Sequence, residues 1–409
     1  MSHLLSIAEA IIHNQTASCF CGRMLFVLTN FAEEIRRIHK KFKDFVIYIV
    51  CGLLYYITVR WCCFIRLFDR INNKQTYIIA EMSGNHAGSY EHALEIVHAA
   101  AFAGADCLKI QTYTPDTLTL NCRKPEFILH GGLWDNMCLY DLYGQAGTPW
   151  EWHQGIKEEC EKVGLDFLST PFDFSSVDFL EDLGLEMYKI ASTEIVDIPL
   201  IKYVASKGKP MIVSCGFASE EEINDAVQAM IDGGCKDYIL LRCSAEYPAN
   251  PDKMNLSLIP DMARRFQCRV GLSDHTTSNL TSVVGVAMGA CVIEKHFCIT
   301  RERKNPDSEF SIEYEGFKDL VKTIREAERT IGQPVYEGVD ATGHRFRSLF
   351  VTKDMKAGEI FTPDNVRSVR PGHGISPKFY EQILGKTAKS DISWATPLTW
   401  DLINMEESK

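Results

Sequence analysis

The sequence predicts an α/β fold, a (β/α)8 TIM barrel followed by a small second domain. Three observations lead there: eight short apolar runs, stretches of helical spacing between them, and a polar residue at the carboxyl end of nearly every run. The runs are Tyr77–Glu81, Cys107–Gln111, Asp166–Thr170, Met187–Ser192, Met211–Ser214, Tyr238–Cys243, Arg269–Asp274 and Cys291–His296. Each has the length and content of a strand buried on both faces. Between them, stretches such as His92–Ala103, Trp150–Val163, Glu220–Ile231 and Thr281–Met288 space their apolar residues as helices do. Eight such units close a barrel, and barrel sites lie at the carboxyl ends of the strands. Those ends carry Glu81, Lys109, Gln111, Thr170, Lys189, Ser192, Glu194, Ser214, Ser244, Ser273, Asp274, His275, Glu294 and His296.

The chain divides into an extension over 1–74 with an apolar segment at 45–65, a barrel over 75–333, a linker over 334–345 and a small domain over 346–405. With 409 residues, 46% apolar and 24% charged, it has the composition of a globular protein, not a disordered one. The net charge of −11 disfavours nucleic-acid binding, so an anionic substrate needs a locally positive site. Fifteen cysteines without paired metal spacing fit a reducing, cytoplasmic compartment. Cys215 and Cys243 lie near strand ends, but free cysteine more often packs as a small apolar residue. Phe45–Val59, extended by Trp61–Ile65, is just long enough for a membrane span. The basic residues before it would keep the amino terminus inside and export the barrel, which conflicts with a metabolic role. An anchor, a packed helix and a non-native extension remain open; no cleavable signal peptide is evident at Met1.

His275 ends the seventh run and His296 the eighth, so neighbouring strands present two imidazoles at one depth. One such histidine is usually a hydrogen-bonded core residue. A pair facing a polar cavity fits a divalent cation with open positions, Mn2+ or Mg2+ completed by water in preference to zinc. Lys109 and Lys189 are ammonium groups on apolar strands, where an unpaired charge is costly. Salt bridges to Glu81, Glu194 or Glu294 are one explanation. The hydroxyls of Thr170, Ser192, Ser214 and Ser273 favour the other, an anion held in the mouth. Glu194 and Glu81 are candidate acid-base groups, with Asn85 and His86 on the loop after Glu81. Gly84 and Gly88 form no dinucleotide fingerprint.

In this order, IIAEMSGNHAGS, LKIQTYTPDTLTL, STPFD, YKIASTE, KYVASKGKP, GLSDHT and VIEKHF resemble the sialic acid synthase family of phosphoenolpyruvate-condensing enzymes. The resemblance runs from about Tyr77 to the carboxyl terminus. Within the family, the insert GGLWDNMCLYDLYGQAGTPWEWH is more similar to pseudaminic acid synthases than to N-acetylneuraminate synthases. The resemblance implies a transferase that joins phosphoenolpyruvate to an aminohexose, a 2,4-diacetamido-2,4,6-trideoxyhexose, and releases phosphate. It further implies a carboxyl-terminal antifreeze-like (SAF, β-clip) domain and a domain-swapped homodimer. Phosphoenolpyruvate would sit on Lys109, Thr170, Lys189, Ser192, Ser214 and Ser273, and the metal on His275 and His296. The open-chain sugar would meet Glu81, Gln111, Tyr247, Asp307 and, from the partner subunit, Arg370.

The stretch from Arg347 resembles the antifreeze-like domain, with Lys356–Gly358 expected as a turn and Asn365–Gly374 as a loop. One departure concerns Ala245, which stands where N-acetylneuraminate synthases often carry an amide. That weakens N-acetylmannosamine as the substrate. N-acetylneuraminate or legionaminic acid synthesis remains the alternative, and a non-catalytic sugar-binding or membrane-tethered scaffold is the alternative of another class. Intact buried charges argue against the scaffold, because an idle site would gain stability by losing them.

Overall fold

The structure is a computed structural model, and it describes residues 66–244, 246–334, 336 and 345–405. The apolar segment 45–65 and Ala245 fall outside the described residues, as does most of the linker. Among the described residues, no helix is long and apolar enough to cross a membrane. Two compact units divide at Gly332 and Gln333.

In the first unit, eight parallel strands run in sequential order: β1 Tyr77–Glu81, β2 Cys107–Thr112, β3 Asp166–Pro171, β4 Tyr188–Ile190, β5 Met211–Ser214, β6 Tyr238–Cys243, β7 Arg269–Asp274 and β8 Val292–Cys298. β1 also pairs with β8, so the barrel is closed. The helices that alternate with these strands are α1 Tyr90–Ala103, α2 His153–Val163, α3 Phe174–Asp182, α4 Ile198–Ser206, α5 Glu220–Gly233, α6 Leu258–Arg265, α7 Leu280–Ala287 and α8 Tyr314–Ile331, with two shorter ones, Pro115–Leu118 and Leu139–Ala146, between β2 and α2. A short strand, β9 Ile312–Glu313, extends the sheet beside β8. The strand ends agree with the sequence expectation to within one or two residues. In β4 the run ends at Ile190, because Ser192 already turns into a 3-10 helix, Thr193–Val196.

Local chemistry sets the helix boundaries. Ser89, Asp173, Asp197 and Ser219 cap α1, α3, α4 and α5 by accepting backbone N–H bonds. Each cap contributes about 1 kcal/mol. α1, α2 and α5 stop at Gly104, Gly164 and Gly234, whose positive φ closes the last turn at little steric cost.

Alternation along the strands separates two apolar layers. Outward residues such as Ile78, Ala80, Leu108, Ile110, Leu240 and Ile293 pack against the helices. Inward residues Tyr77, Ile79, Cys107, Leu168, Met187, Ile212, Ile239, Leu241 and Val292 fill the lower barrel. Burying each large side chain contributes about 1.5–3 kcal/mol. One step further along the strands, the inward positions turn polar, and the mouth begins there.

A short helix over 66–72 closes the opposite end. Its Leu67 is buried against the lower barrel layer. Arg66 lies 3.3 Å from Asp166, while Arg70 at 2.7 Å and Arg325 at 2.8 Å share Asp106. Tyr77 donates its hydroxyl to Asp166 over 2.6 Å.

The second unit has its own core of Leu349, Val351, Phe361, Val366, Ile383 and Leu398. β10 Ser348–Val351 pairs antiparallel with β11 Val366–Val369, and β12 Thr387–Ala388 with β13 Ile403–Asn404. The expected turn is present at Ala357–Gly358. The expected loop over Asn365–Gly374 is corrected: Val366 and its neighbours form β11, since Val366 packs in this small core, and the loop starts at Arg370. Ser348 Oγ fixes that loop by donating to Pro371 O and accepting from Gly374 N.

At Gly271 in β7, an added Cβ would lie 2.6 Å from the Val292 carbonyl oxygen and 2.8 Å from Val292 Cβ. Overpacking of this kind costs about 1–3 kcal/mol. Gly271→Ala is therefore expected to lower the thermal midpoint by several degrees, as read by calorimetry. An unchanged midpoint would contradict the β7–β8 packing.

Candidate active site

Barrel register assembles the mouth. Glu81 stands opposite Lys109 on one side and His296 on the other, Gln111 opposite Thr170, and Ser273 opposite Cys243 and Glu294. Even spacing along each strand turns these side chains inward. Asp274 and Lys295, one residue off, point away from the mouth. They pair at 2.8 Å, with Ser282 donating to Asp274 and Lys295 donating to the Thr276 carbonyl. Asp274 thus leaves the set of mouth residues suggested by its strand-end position.

Glu294 is the hub. It accepts from Ser273 Oγ at 3.0 Å and lies 3.5 Å from Lys189 and 3.8 Å from Lys109. Burial would raise its carboxyl, but the two ammonium groups outweigh that and hold it below the usual range. Lys109 lies 2.5 Å from Glu81 and donates to Thr170 at 3.2 Å. Its two carboxylates overcome burial and raise it. Lys189 donates to Ser214 at 2.7 Å, yet burial lowers it despite Glu294. An arriving anion would relieve that imbalance. Glu81, which also accepts from Gln111 at 3.3 Å, is raised by burial to about 7 against the pull of Lys109.

Both explanations of the lysines thus describe the same groups. The ion pairs exist, and the hydroxyls of Thr170, Ser214 and Ser273 converge on them. Ser192 does not touch either lysine; its Oγ accepts from Gly216 N at 3.1 Å and fixes the loop after β5. Glu194 stands apart, half-buried on the turn after β4, accepting from Thr193 at 2.8 Å, with burial raising its carboxyl.

The imidazoles of His275 and His296 meet edge to face with centroids 5.4 Å apart. Burial, then the neighbouring His275 and Lys109, hold His296 well below its ordinary range and keep it neutral, the ligand form. His296 Nδ1 is buried and has no hydrogen-bond partner among the described residues. A buried, unpartnered nitrogen on a ring 5.4 Å from a second imidazole fits a divalent cation. Among the described residues no cluster holds three or more metal-ligating side chains, so the ion's remaining positions would belong to water and substrate. Cys243, near a strand end, is buried with its Sγ 3.9 Å from His275 Nδ1.

Tyr247 stacks on His275 at 4.2 Å, and Phe310 packs on Tyr247 and His296 at 4.9 Å each. Trp134 completes this wall. Asp307, raised by burial, accepts from Gly84 N at 2.7 Å. Asn85 donates to Ser311 at 2.8 Å. Arg370 belongs to the second unit, where it is exposed on the loop after β11. Sequence reasoning missed Trp134 and Phe310 and treated Glu294 only as a counter-ion. The Gly-Gly turn before Trp134 was the one available signal; Phe310 offered none.

A closed barrel carries two buried ammonium groups and an imidazole pair at its mouth, and the family and relatives that this chain matches make it a phosphoenolpyruvate-condensing sugar synthase, a transferase. The chain belongs to the NeuB family, whose model matches residues 96–336, and a SAF domain matches 346–404. It is 44% identical over 329 residues to the pseudaminic acid synthase of Campylobacter jejuni strain 81-176, covering 80% of this chain and 96% of that one. To the Helicobacter pylori pseudaminic acid synthase it is 40% identical, covering 79% and 96%. Among solved structures, the N-acetylneuraminic acid synthetase of Leptospira borgpetersenii superposes with a TM-score of 0.58 at 30% identity, covering 65% of this chain and 88% of that one. A putative spore coat polysaccharide biosynthesis protein E from Chromobacterium violaceum gives 0.65 at 27%, covering 80% and 99%.

The raised carboxyl of Glu81 has a stability signature. Between its unfolded value of 4.5 and about 7, the native state binds the extra proton, so its contribution falls as pH rises through that window. Melting temperatures from pH 5 to 8 are expected to fall more steeply for the wild type than for Glu81→Gln. Parallel curves would contradict the shift.

Proposed function

We propose that this chain condenses phosphoenolpyruvate with a 2,4-diacetamido-2,4,6-trideoxyhexose to give pseudaminic acid and phosphate. The observation that carries this reading is the two-lysine, two-imidazole mouth in a chain 44% identical to a pseudaminic acid synthase across 96% of that protein. Phosphoenolpyruvate would lie on Lys109, Thr170, Lys189, Ser192, Ser214 and Ser273. Its phosphate and carboxylate would take the ammonium charges now shared with Glu81 and Glu294. The open-chain sugar would meet Glu81, Gln111, Tyr247 and Asp307, with Arg370 supplied by the partner subunit of a domain-swapped homodimer.

A divalent ion on His275 and His296, Mn2+ in preference to Mg2+ because imidazole nitrogen binds the softer ion better, would polarise the sugar aldehyde when bound. The lysines hold the enol phosphate so that its terminal carbon faces that aldehyde. Bond formation leaves positive character on the carbon bearing the phosphate and negative charge on the sugar oxygen. Water adds to that carbon and phosphate departs with its bridging oxygen. Glu81, near 7, can hold a proton at neutral pH, and Glu194, raised in the same direction, is the second candidate carrier. Holding both reactants in register contributes on the order of 7–11 kcal/mol, more than either proton carrier alone. The supply of phosphoenolpyruvate favours a cytoplasmic reaction.

Phosphate release from phosphoenolpyruvate, assayed with each purified aminohexose, is expected to be fastest with the trideoxyhexose. Turnover only with N-acetylmannosamine or a legionaminic acid precursor would overturn the choice of sugar. Lys189→Met should lower kcat/KM for phosphoenolpyruvate by about 100-fold, as loss of a charge-assisted bond of roughly 3 kcal/mol implies. His275→Ala and His296→Ala should each lose bound manganese by elemental analysis; retention in both would remove the metal assignment.

A further inference from the structure

The insert between β2 and α2 builds a specificity element that the condensation chemistry does not use. Residues 128–138 fold back on themselves through a bridge between Ile128 and Cys138, with Leu129 N donating to Met137 O and Asn136 N to Leu129 O. The turn is fixed by Gly131 N donating to Asp135 Oδ1 and by positive φ at Gly131, Gly132 and Asn136. Trp134 stands at its tip. Its indole N–H donates to the Pro306 carbonyl at 3.0 Å, which ties the tip to the loop that carries Asp307 and Phe310.

The indole then meets Tyr247 at 6.0 Å and Phe310 at 6.2 Å between ring centroids. Tyr247 and Phe310 contact the two imidazoles in turn. A continuous aromatic wall therefore runs from the histidines to the insert. Trp134 is half-buried, and its one polar atom is already bonded, so it offers a ligand only apolar surface. Five carbon–carbon bonds separate the aldehyde carbon of a hexose from its far end, an extended reach of about 6 Å at bond lengths near 1.5 Å. A sugar with its aldehyde at the imidazole pair would bring C6 to the neighbourhood of this indole.

Resting on the condensation proposed above, we infer that Trp134 is a specificity-determining residue whose indole receives the C6 methyl group of a 6-deoxy sugar and disfavours a C6 hydroxymethyl group. A hydroxyl there would lose water without finding a partner. Apolar pockets discriminate against an added hydroxyl by about 100-fold at most, which sets the scale of the effect.

The test compares two 2,4-diacetamido hexoses that differ only in CH3 or CH2OH at C6, with the full-length enzyme, manganese and saturating phosphoenolpyruvate. The wild type is expected to prefer the methyl sugar in kcat/KM by about 10- to 100-fold. Trp134→Ala should reduce that preference to less than about threefold, mainly through a higher KM for the methyl sugar, with the KM for phosphoenolpyruvate unchanged. Trp134→Phe, which keeps an apolar ring, should retain most of the preference. Equal losses on both sugars in both variants would mean a structural role only and overturn the inference, as would an unchanged preference in Trp134→Ala. Wild-type enzyme that turns over neither diacetamido sugar would instead overturn the substrate reading on which the inference rests.

Discussion

Four ionisable groups inside one barrel mouth, Lys109 and Lys189 against Glu81 and Glu294, are the constraint on which the rest of the molecule depends. Removing any one would leave a buried charge uncompensated, at a cost of about 3–5 kcal/mol. Such a cluster persists only if its members are held at fixed positions. Strand register does this: Glu81 is level with Lys109 across one pairing and with His296 across the other. The apolar layers below exclude water and make the charges sensitive to one another, which is why Glu81 and Glu294 move in opposite directions from similar starting values. Electrostatic tension in the mouth and affinity for an anion have the same origin.

The eightfold alternation was legible because a closed parallel barrel repeats one signal. Each strand is a short apolar run, and each ends where the inward face turns polar. Six strands, apart from β4 and β8, begin at the residue where the sequence places them, because burial on both faces leaves little freedom at that end. β8 begins one residue later. β4 differs more, since it is short and its last expected residues are drawn into the turn that fixes Ser192. Individual roles were less legible. Ser273 and Asp274 are adjacent and both polar, yet one faces the mouth and the other a helix; only the pleat decides.

Long-range partnership was the least legible layer. Glu294 could be named as a counter-ion, but its place between both lysines depends on barrel closure. Trp134 lies 113 positions from Tyr247, and no local pattern joins them; the indole N–H bond to Pro306 does. The loop in the second unit was misjudged for a related reason. Its polar residues suggest irregular chain, while Val366 is anchored by a core that the local sequence does not reveal.

The helix over 66–72 has a consequence for the barrel it closes. Leu67 stoppers the end of the barrel away from the mouth, and two arginines clamp it there through Asp106 and Asp166. The rear of the barrel is thus sealed by side chains from outside the eight strand–helix units. The doorway for substrates lies at the other end of the same strands, so rear closure and substrate entry are separated by the full length of the apolar barrel.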